Sequence, residues 1–117
     1  MRHLSMVVCG SVLFAAVIAG CGGGAVINKE PSTSAIRAAE EVGASGVPSA
    51  SLYLQLAKEE LEQAQGLAAK GEKEEAESML QRAQADAELA VALSRSDADK
   101  KEATEAIERA RQLRQDN

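Results

Sequence analysis

The sequence is poor in the side chains from which most catalytic and binding sites are built. Its 117 residues include no Trp, one Tyr, one Phe, one His and two Cys. Aromatic residues make up 2% of the chain, so no platform is available on which bases or sugars could stack. The formal net charge is -5, whereas binding to nucleic-acid phosphates needs a basic surface. We therefore expect no nucleic-acid partner.

The scarce reactive residues are also badly placed for catalysis. His3 and Cys9 lie in an apolar N-terminal segment, and the chain from Cys21 onward has no His and a single Cys. Without that segment, the chain cannot form a Ser-His or Cys-His nucleophile system, a disulfide or the usual kind of zinc site. We expect no enzymatic activity, no metal, no cofactor and no small-molecule substrate.

Clustered carboxylates are the remaining candidates for an enzyme or a cation site. Glu72, Glu74 and Glu75 lie within four residues of one another. Consecutive acids on a helix point in different directions, and the helix dipole favours acids in a first turn. The cluster therefore predicts the start of a helix rather than an active site.

What the sequence does contain is an apolar run at its N-terminus. A short cationic start, Arg2 and His3, precedes an almost wholly apolar stretch from Leu4 to Gly20. This pattern is typical of a secretory signal peptide. The alternative is an uncleaved helix that crosses the membrane, because the run is near the lower limit of roughly 17 to 25 residues for a span.

The apolar run ends in Ile18-Ala19-Gly20-Cys21, which resembles the bacterial lipobox at all four positions. The small Ala19 and Gly20 allow an extended backbone to enter a narrow peptidase site. The thiolate of Cys21 would be the strongest nucleophile available to accept a lipid. The resemblance implies diacylglycerol on the Cys21 sulfur, cleavage before Cys21 and a lipid anchor in the bacterial cell envelope. Gly22, where some sorting rules place Asp, favours the outer membrane, facing the periplasm.

This assignment divides the chain into three predicted segments. Residues 1–20 are predicted to be the lipoprotein signal peptide. Residues 21–33 are predicted to comprise the lipidated Cys21 and a flexible tether, because three consecutive glycines do not hold regular structure cheaply. Residues 34–117 are predicted to form an α-helical hairpin domain with an extended C-terminal helix.

The helical part shows apolar residues at α-helical spacing, which predicts an all-α fold. The pattern from Ser34 to Val42 predicts a short helix, which ends at Gly43. A second helix follows Pro48 and runs to Lys70, where Gly71 is predicted to end it in the left-handed conformation, and a third begins near Glu72. The seam predicted for the second helix is Leu54, Ala57, Leu61, Ala64 and Ala68, and that for the third is Ala76, Leu80, Ala83, Ala87 and Ala90.

The turn between the second and third helices is too short for anything except an antiparallel hairpin, which would be coiled-coil-like. Residues 94–101 are polar on all faces but contain neither Gly nor Pro. Either the third helix continues through them, or Ser96 or Asp97 caps a new helix; we favour one helix from about Glu72 to Arg114. Glu105 and Arg109 are predicted to form an ion pair on it. A sparse apolar stripe near its end is the predicted partner surface, made of Ala103, Ile107, Ala110 and Leu113.

Two Ala- and Glu-rich blocks, residues 57–64 and 83–90, carry a resemblance to a known family. From Ser34 to about Arg95 the chain resembles bacterial envelope lipoproteins with domain of unknown function 4398. The resemblance implies a helical hairpin and no catalytic residues. We therefore expect a non-enzymatic structural or interaction module, which binds a helical protein partner or itself. The alternative is an accessory or regulatory subunit that docks on an envelope complex through its long helix.

Overall fold

The computed structural model describes residues 23–116, which are helical over most of their length. Helix α1 spans Glu30–Glu41, α2 spans Pro48–Ala69 and α3 spans Lys73–Gln115, with a 3-10 turn at Ala44–Gly46. The described part of the chain contains no strand. The predicted all-α fold, a short helix followed by a long helical hairpin, is confirmed. The predicted signal peptide lies outside the described residues.

Helix α1 begins at Glu30, four residues before the predicted start at Ser34. Pro31 lies in the first turn, where a missing N–H costs no hydrogen bond. The backbone N–H of Glu30 donates to the Asn28 side chain at 3.2 Å. The buried Ser32 hydroxyl donates to the Leu80 carbonyl oxygen of α3 at 2.7 Å. The prediction of a flexible tether is therefore wrong for residues 30–33, because the local bond to Asn28 and the tertiary bond of Ser32 order this turn.

The segment before α1 packs on the hairpin. The backbone N–H of Ala25 donates to the carbonyl oxygen of Ala68, at the end of α2, over 2.7 Å. Gly24 lies so close to the same carbonyl that a Cβ atom would be 3.0 Å from it. The part of the predicted tether from residue 24 therefore lies against the end of the hairpin at which α2 meets α3.

The turn between α2 and α3 forms the predicted glycine cap. Gly71 has φ of 83°, in the left-handed region. Its N–H donates to the Ala68 carbonyl at 3.0 Å, and the Glu72 N–H donates to the Leu67 carbonyl at 3.0 Å. These two bonds make a Schellman motif, which satisfies carbonyls at the end of α2 and reverses the chain. The left-handed conformation predicted for Gly71 is confirmed.

Two glycines of the hairpin are expected to respond to alanine in opposite directions. Gly71→Ala should lower the free energy of unfolding by about 1 kcal/mol, because Ala is strained in the left-handed conformation. Gly66→Ala should raise it by about 0.5–1 kcal/mol, because Gly66 lies inside α2 and a Cβ there meets open space. Urea denaturation of both variants measures the difference, and equal effects would contradict this geometry.

The seam between α2 and α3 is built mainly from alanine. All five seam residues predicted on α3 are buried, and Ser94 extends that line by one turn. On α2, Leu54, Ala57, Ala64 and Ala68 are buried as predicted, whereas Leu61 is half-buried and Glu60 is 6% exposed. The seam residues 57 and 64 lie two helical turns apart, and the position one turn from each falls between residues 60 and 61. Both side chains therefore flank the seam: Leu61 packs against the core as a half-buried side chain, and the buried Glu60 was not part of the predicted seam.

Helix α1 packs on the hairpin and completes its core. Ile36 and Ala39 of α1 join Leu54, Ala57 and Ala87 in one buried cluster. Ser32 meets α3 at Leu80, and Glu40, at the other end of α1, pairs with Lys58 of α2. Helix α1 therefore runs parallel to α3 and antiparallel to α2.

The third helix is continuous through the polar residues 94–101, as predicted. Its 43 residues correspond to about 64 Å at about 1.5 Å per residue. All residues from 98 to 116 are exposed. We call residues 96–115 the projecting end of α3; it extends about 30 Å beyond the last buried seam residue, Ser94.

Candidate interaction surfaces

The lipobox residues Ile18, Ala19, Gly20 and Cys21 lie outside the described residues. The roles predicted for them, peptidase recognition and lipidation, therefore remain predictions. Among residues 23–116, no helix combines the length and the hydrophobicity that crossing a membrane requires.

The carboxylates weighed as a cation site lie at the start of α3. Glu72 is the N-cap residue, and Glu74 and Glu75 occupy the first turn, where the helix dipole favours acids. All three are exposed. Within the described range, no group of three or more His, Cys, Asp and Glu side chains could hold a metal ion. The cluster is explained by helix formation.

The predicted partner surface lies on the projecting end. Ala103 and Ala110 are exposed, Ile107 is 54% exposed and Leu113 is 67% exposed. Because the helix is continuous, these four side chains share one face. Ala106 is exposed on the same face and was not part of the prediction. The structure therefore brings the predicted set together and leaves it open to solvent.

An apolar groove between α1 and α3 is a second surface, and the sequence did not predict it. It has a volume of about 520 Å³. Its walls come from Pro31, Ser34, Ala35 and Ala38 of α1 and from Gln84, Glu88, Val91, Ala92 and Arg95 of α3. The groove depends on how α1 packs against α3, and periodicity within a single helix does not contain that information.

A buried carboxylate lies in the middle of the hairpin. Glu60 Oε1 pairs with Arg82 Nη2 of α3 at 3.0 Å, whereas Glu60 Oε2 is buried and accepts no hydrogen bond from the described residues. Burial raises the pKa of Glu60, and the neighbouring Asp86 carboxylate raises it further, against the lowering effect of Arg82. Sequence patterning missed this residue, because Glu59-Glu60 is a pair of acids typical of a solvated face.

The ion pairs of the projecting end differ from the prediction. Glu105 and Arg109 do not pair. Instead, Arg111 Nη1 contacts Glu108 Oε1 at 2.7 Å, and Lys101 Nζ contacts Asp97 Oδ2 at 2.8 Å. Each of these charged side chains has several charged neighbours, and its conformation decides which of them it contacts. Each exposed pair contributes only about 0.2–1 kcal/mol to stability.

The helical hairpin and its packed first helix are the features that relate this chain to known proteins. A family model described as a domain of unknown function, DUF4398, matches residues 30–106. The chain belongs to the DUF4398 family. The match confirms the family resemblance and extends it at both ends, from the first residue of α1 into the projecting end of α3. Comparisons with curated protein sequences and with solved structures give no match.

Proposed function

We propose that this DUF4398 protein is a lipid-anchored, non-enzymatic interaction module of the bacterial cell envelope. The observation that carries the proposal is the lipobox-like Ile18-Ala19-Gly20-Cys21, which ends an apolar run shortly before the family domain. In this proposal residues 1–20 are removed and Cys21 carries diacylglycerol. The outer membrane, facing the periplasm, is the proposed location.

The arrangement of the described residues supports an interaction role. The surfaces that the fold leaves open are an apolar groove and an exposed apolar stripe on a projecting helix. Such surfaces bind other proteins through apolar contact. We therefore assign the protein to binding rather than to catalysis.

The anchor would hold one defined end of the molecule close to the membrane. Only three glycines separate Cys21 from Ala25, whose N–H is bonded to the end of α2. Four residues of extended chain reach at most about 14 Å. The lipid would therefore lie near the Gly71 turn, and the projecting end of α3 would be at the opposite end of the molecule.

Replacing Cys21 is expected to abolish membrane anchoring. Two acyl chains make release from a bilayer negligible, because each buried methylene contributes about 0.8 kcal/mol. Cys21→Ala should therefore remove labelling by a fatty-acid analogue and leave an uncleaved or soluble species after cell fractionation. Cys9→Ala is the matched control and should leave labelling and cleavage unchanged. Unaltered labelling of the Cys21→Ala protein would refute the proposal.

A further inference from the structure

Helix α3 carries a second heptad pattern on the side away from the hairpin seam. One row of this pattern is Leu89, Ser96, Ala103 and Ala110, and the other is Ala85, Ala92, Asp99, Ala106 and Leu113. Every residue of the two rows is exposed. Rows spaced by 3 and 4 residues are the pattern by which one helix pairs with another. These rows face away from the seam, because two positions correspond to about 200° around the helix. Two positions separate a seam residue from each of residues 85, 89, 92 and 96.

A row of charges with alternating sign borders this exposed face. Glu88, Arg95, Glu102 and Arg109 follow one another at intervals of seven residues and are all exposed. Within the described part of the chain, none of the four forms an ion pair; Glu88 accepts a hydrogen bond from Gln84. In coiled coils, the residues that border the apolar rows select the partner and its direction through such charges.

We propose that α3 pairs with α3 of a second copy in the antiparallel direction. With the contact centred near residue 98, Glu88 meets Arg109 of the second copy, and Arg95 meets Glu102 of the second copy. The twofold symmetry makes each pair twice, so the whole row is matched with opposite charges. A parallel pairing in register would instead place Arg95 beside Lys100 and Arg109 beside Arg114 of the second copy, so the charges favour the antiparallel arrangement.

The groove between α1 and α3 fits the projecting end of the second copy. In the proposed register, Ala103 of the second copy lies beside Ala92, which lines the groove, and Ala106 lies beside Leu89. On the α1 side the groove wall is small and apolar at Ala35 and Ala38, and on the α3 side it includes Glu88 and Arg95 of the charge row. Small side chains on both partners allow the helix axes to approach closely.

The centre and the length of the contact are consistent with a specific dimer. Ser96 comes beside Asp99 of the second copy, where a hydroxyl can donate to a carboxylate and fix the register. The paired rows run from residue 85 to residue 110, which is about 39 Å of helix. Most of the projecting end, whose residues 98–110 are exposed in the single chain, is therefore covered in the pair.

This inference rests on the proposed interaction role and names its partner as a second copy of the chain. It also gives the anchored protein an orientation. An antiparallel pair holds its two Gly71 turns about 80 Å apart at opposite ends. With a lipid at each of these ends, the rod would lie along the membrane surface.

The direction of pairing can be tested with single cysteines in the full chain. The background Cys9→Ser/Cys21→Ser has no thiol and cannot be lipidated, so the result is independent of the anchor. A mixture of differently tagged Ala92→Cys and Ala103→Cys chains should form a mixed disulfide dimer under mild oxidation. Neither variant alone should do so, because identical positions are about 15 Å or more apart along the axis. Dimers of one variant with itself, or no mixed dimer, would overturn the proposal.

A charge swap tests the pairing independently, by sedimentation of the same thiol-free full chain. Arg95→Glu places like charges together twice and should raise the dimer dissociation constant by about tenfold. The double variant Arg95→Glu/Glu102→Arg should restore the original value, since both pairs regain opposite charges. Glu105→Arg, on another face of α3, should change it by less than about twofold. An Arg95→Glu protein that sediments like the unaltered chain, or a double variant that is not restored, would overturn the proposed pairing.

Discussion

Leu54→Ala is expected to lower the free energy of unfolding by about 2–4 kcal/mol. Leu54 is 3% exposed and lies in the cluster where α1, α2 and α3 meet. Apart from Ile36, the other buried members of that cluster are alanines, so few large apolar side chains hold the three helices together. Truncation removes the transfer free energy of the side chain and leaves a cavity, which the rigid alanine seam cannot fill.

Leu52→Ala is the matched control, since it is the same substitution two residues away. Leu52 is 58% exposed, and its truncation should change the free energy of unfolding by less than about 0.5 kcal/mol. Denaturation of both variants, followed by circular dichroism, measures the difference. A small domain has a total stability of about 5–15 kcal/mol, so the Leu54 variant should melt markedly earlier. Equal melting of the two variants would contradict the packing of α2.

Glu60→Gln is expected to raise the free energy of unfolding at neutral pH by about 1–2 kcal/mol. At that pH the native hairpin holds a carboxylate in its seam, with Asp86 close by, and one carboxylate oxygen has no hydrogen-bond partner among residues 23–116. Glutamine keeps the shape of the side chain and removes the charge. Arg82, the partner of Glu60, has a side chain that is 64% exposed and can be solvated when the ion pair is lost.

The same residue is expected to make stability depend on pH in an unusual direction. Burial and Asp86 raise the pKa of Glu60 in the folded protein above its value in the unfolded chain. The folded state therefore binds its proton more tightly, and this contribution to stability is fully present below the unfolded pKa. It is lost as the pH rises through the folded pKa. Most native carboxylates act in the opposite direction.

Urea titrations at several values of pH from 4 to 8 can measure this contribution. The free energy of unfolding of the unaltered protein, minus that of Glu60→Gln, should fall as the pH rises. Glu59→Gln is the control, because Glu59 is the adjacent acid on the same helix and is exposed. The difference in free energy of unfolding between the unaltered protein and Glu59→Gln should stay nearly constant over this pH range. A Glu60→Gln difference that rises with pH would show that the carboxylate is favoured in the folded state.

The hairpin was predictable because its signals are local. Ala76 to Ala90 repeat at helical spacing on α3, and Gly71 marks a turn that only a left-handed residue makes without strain. Both features were found from the sequence. The early start of α1 was missed because Ser32 is held by a bond to Leu80, 48 residues away along the chain. No local pattern contains such a contact.

The interaction surfaces were predictable to a smaller extent. Ile107 and its neighbours were found as an apolar stripe, because a stripe on a single helix follows from spacing alone. The groove was missed, because Ala35 and Val91 become neighbours only when α1 packs against α3. Glu60 was missed for a related reason. Which of two adjacent acids is buried depends on the rotation of α2 against α3, and composition does not fix that rotation.

The central claim is that the DUF4398 hairpin is held on a membrane by a lipid on Cys21. The most direct test is the intact mass of the protein purified from cell membranes, together with the mass of its N-terminal peptide. We predict a chain that begins at Cys21 and carries the added mass of diacylglycerol on that residue, with or without an acyl group on the amino nitrogen. A chain that begins at Met1, or an unmodified Cys21, would contradict the claim.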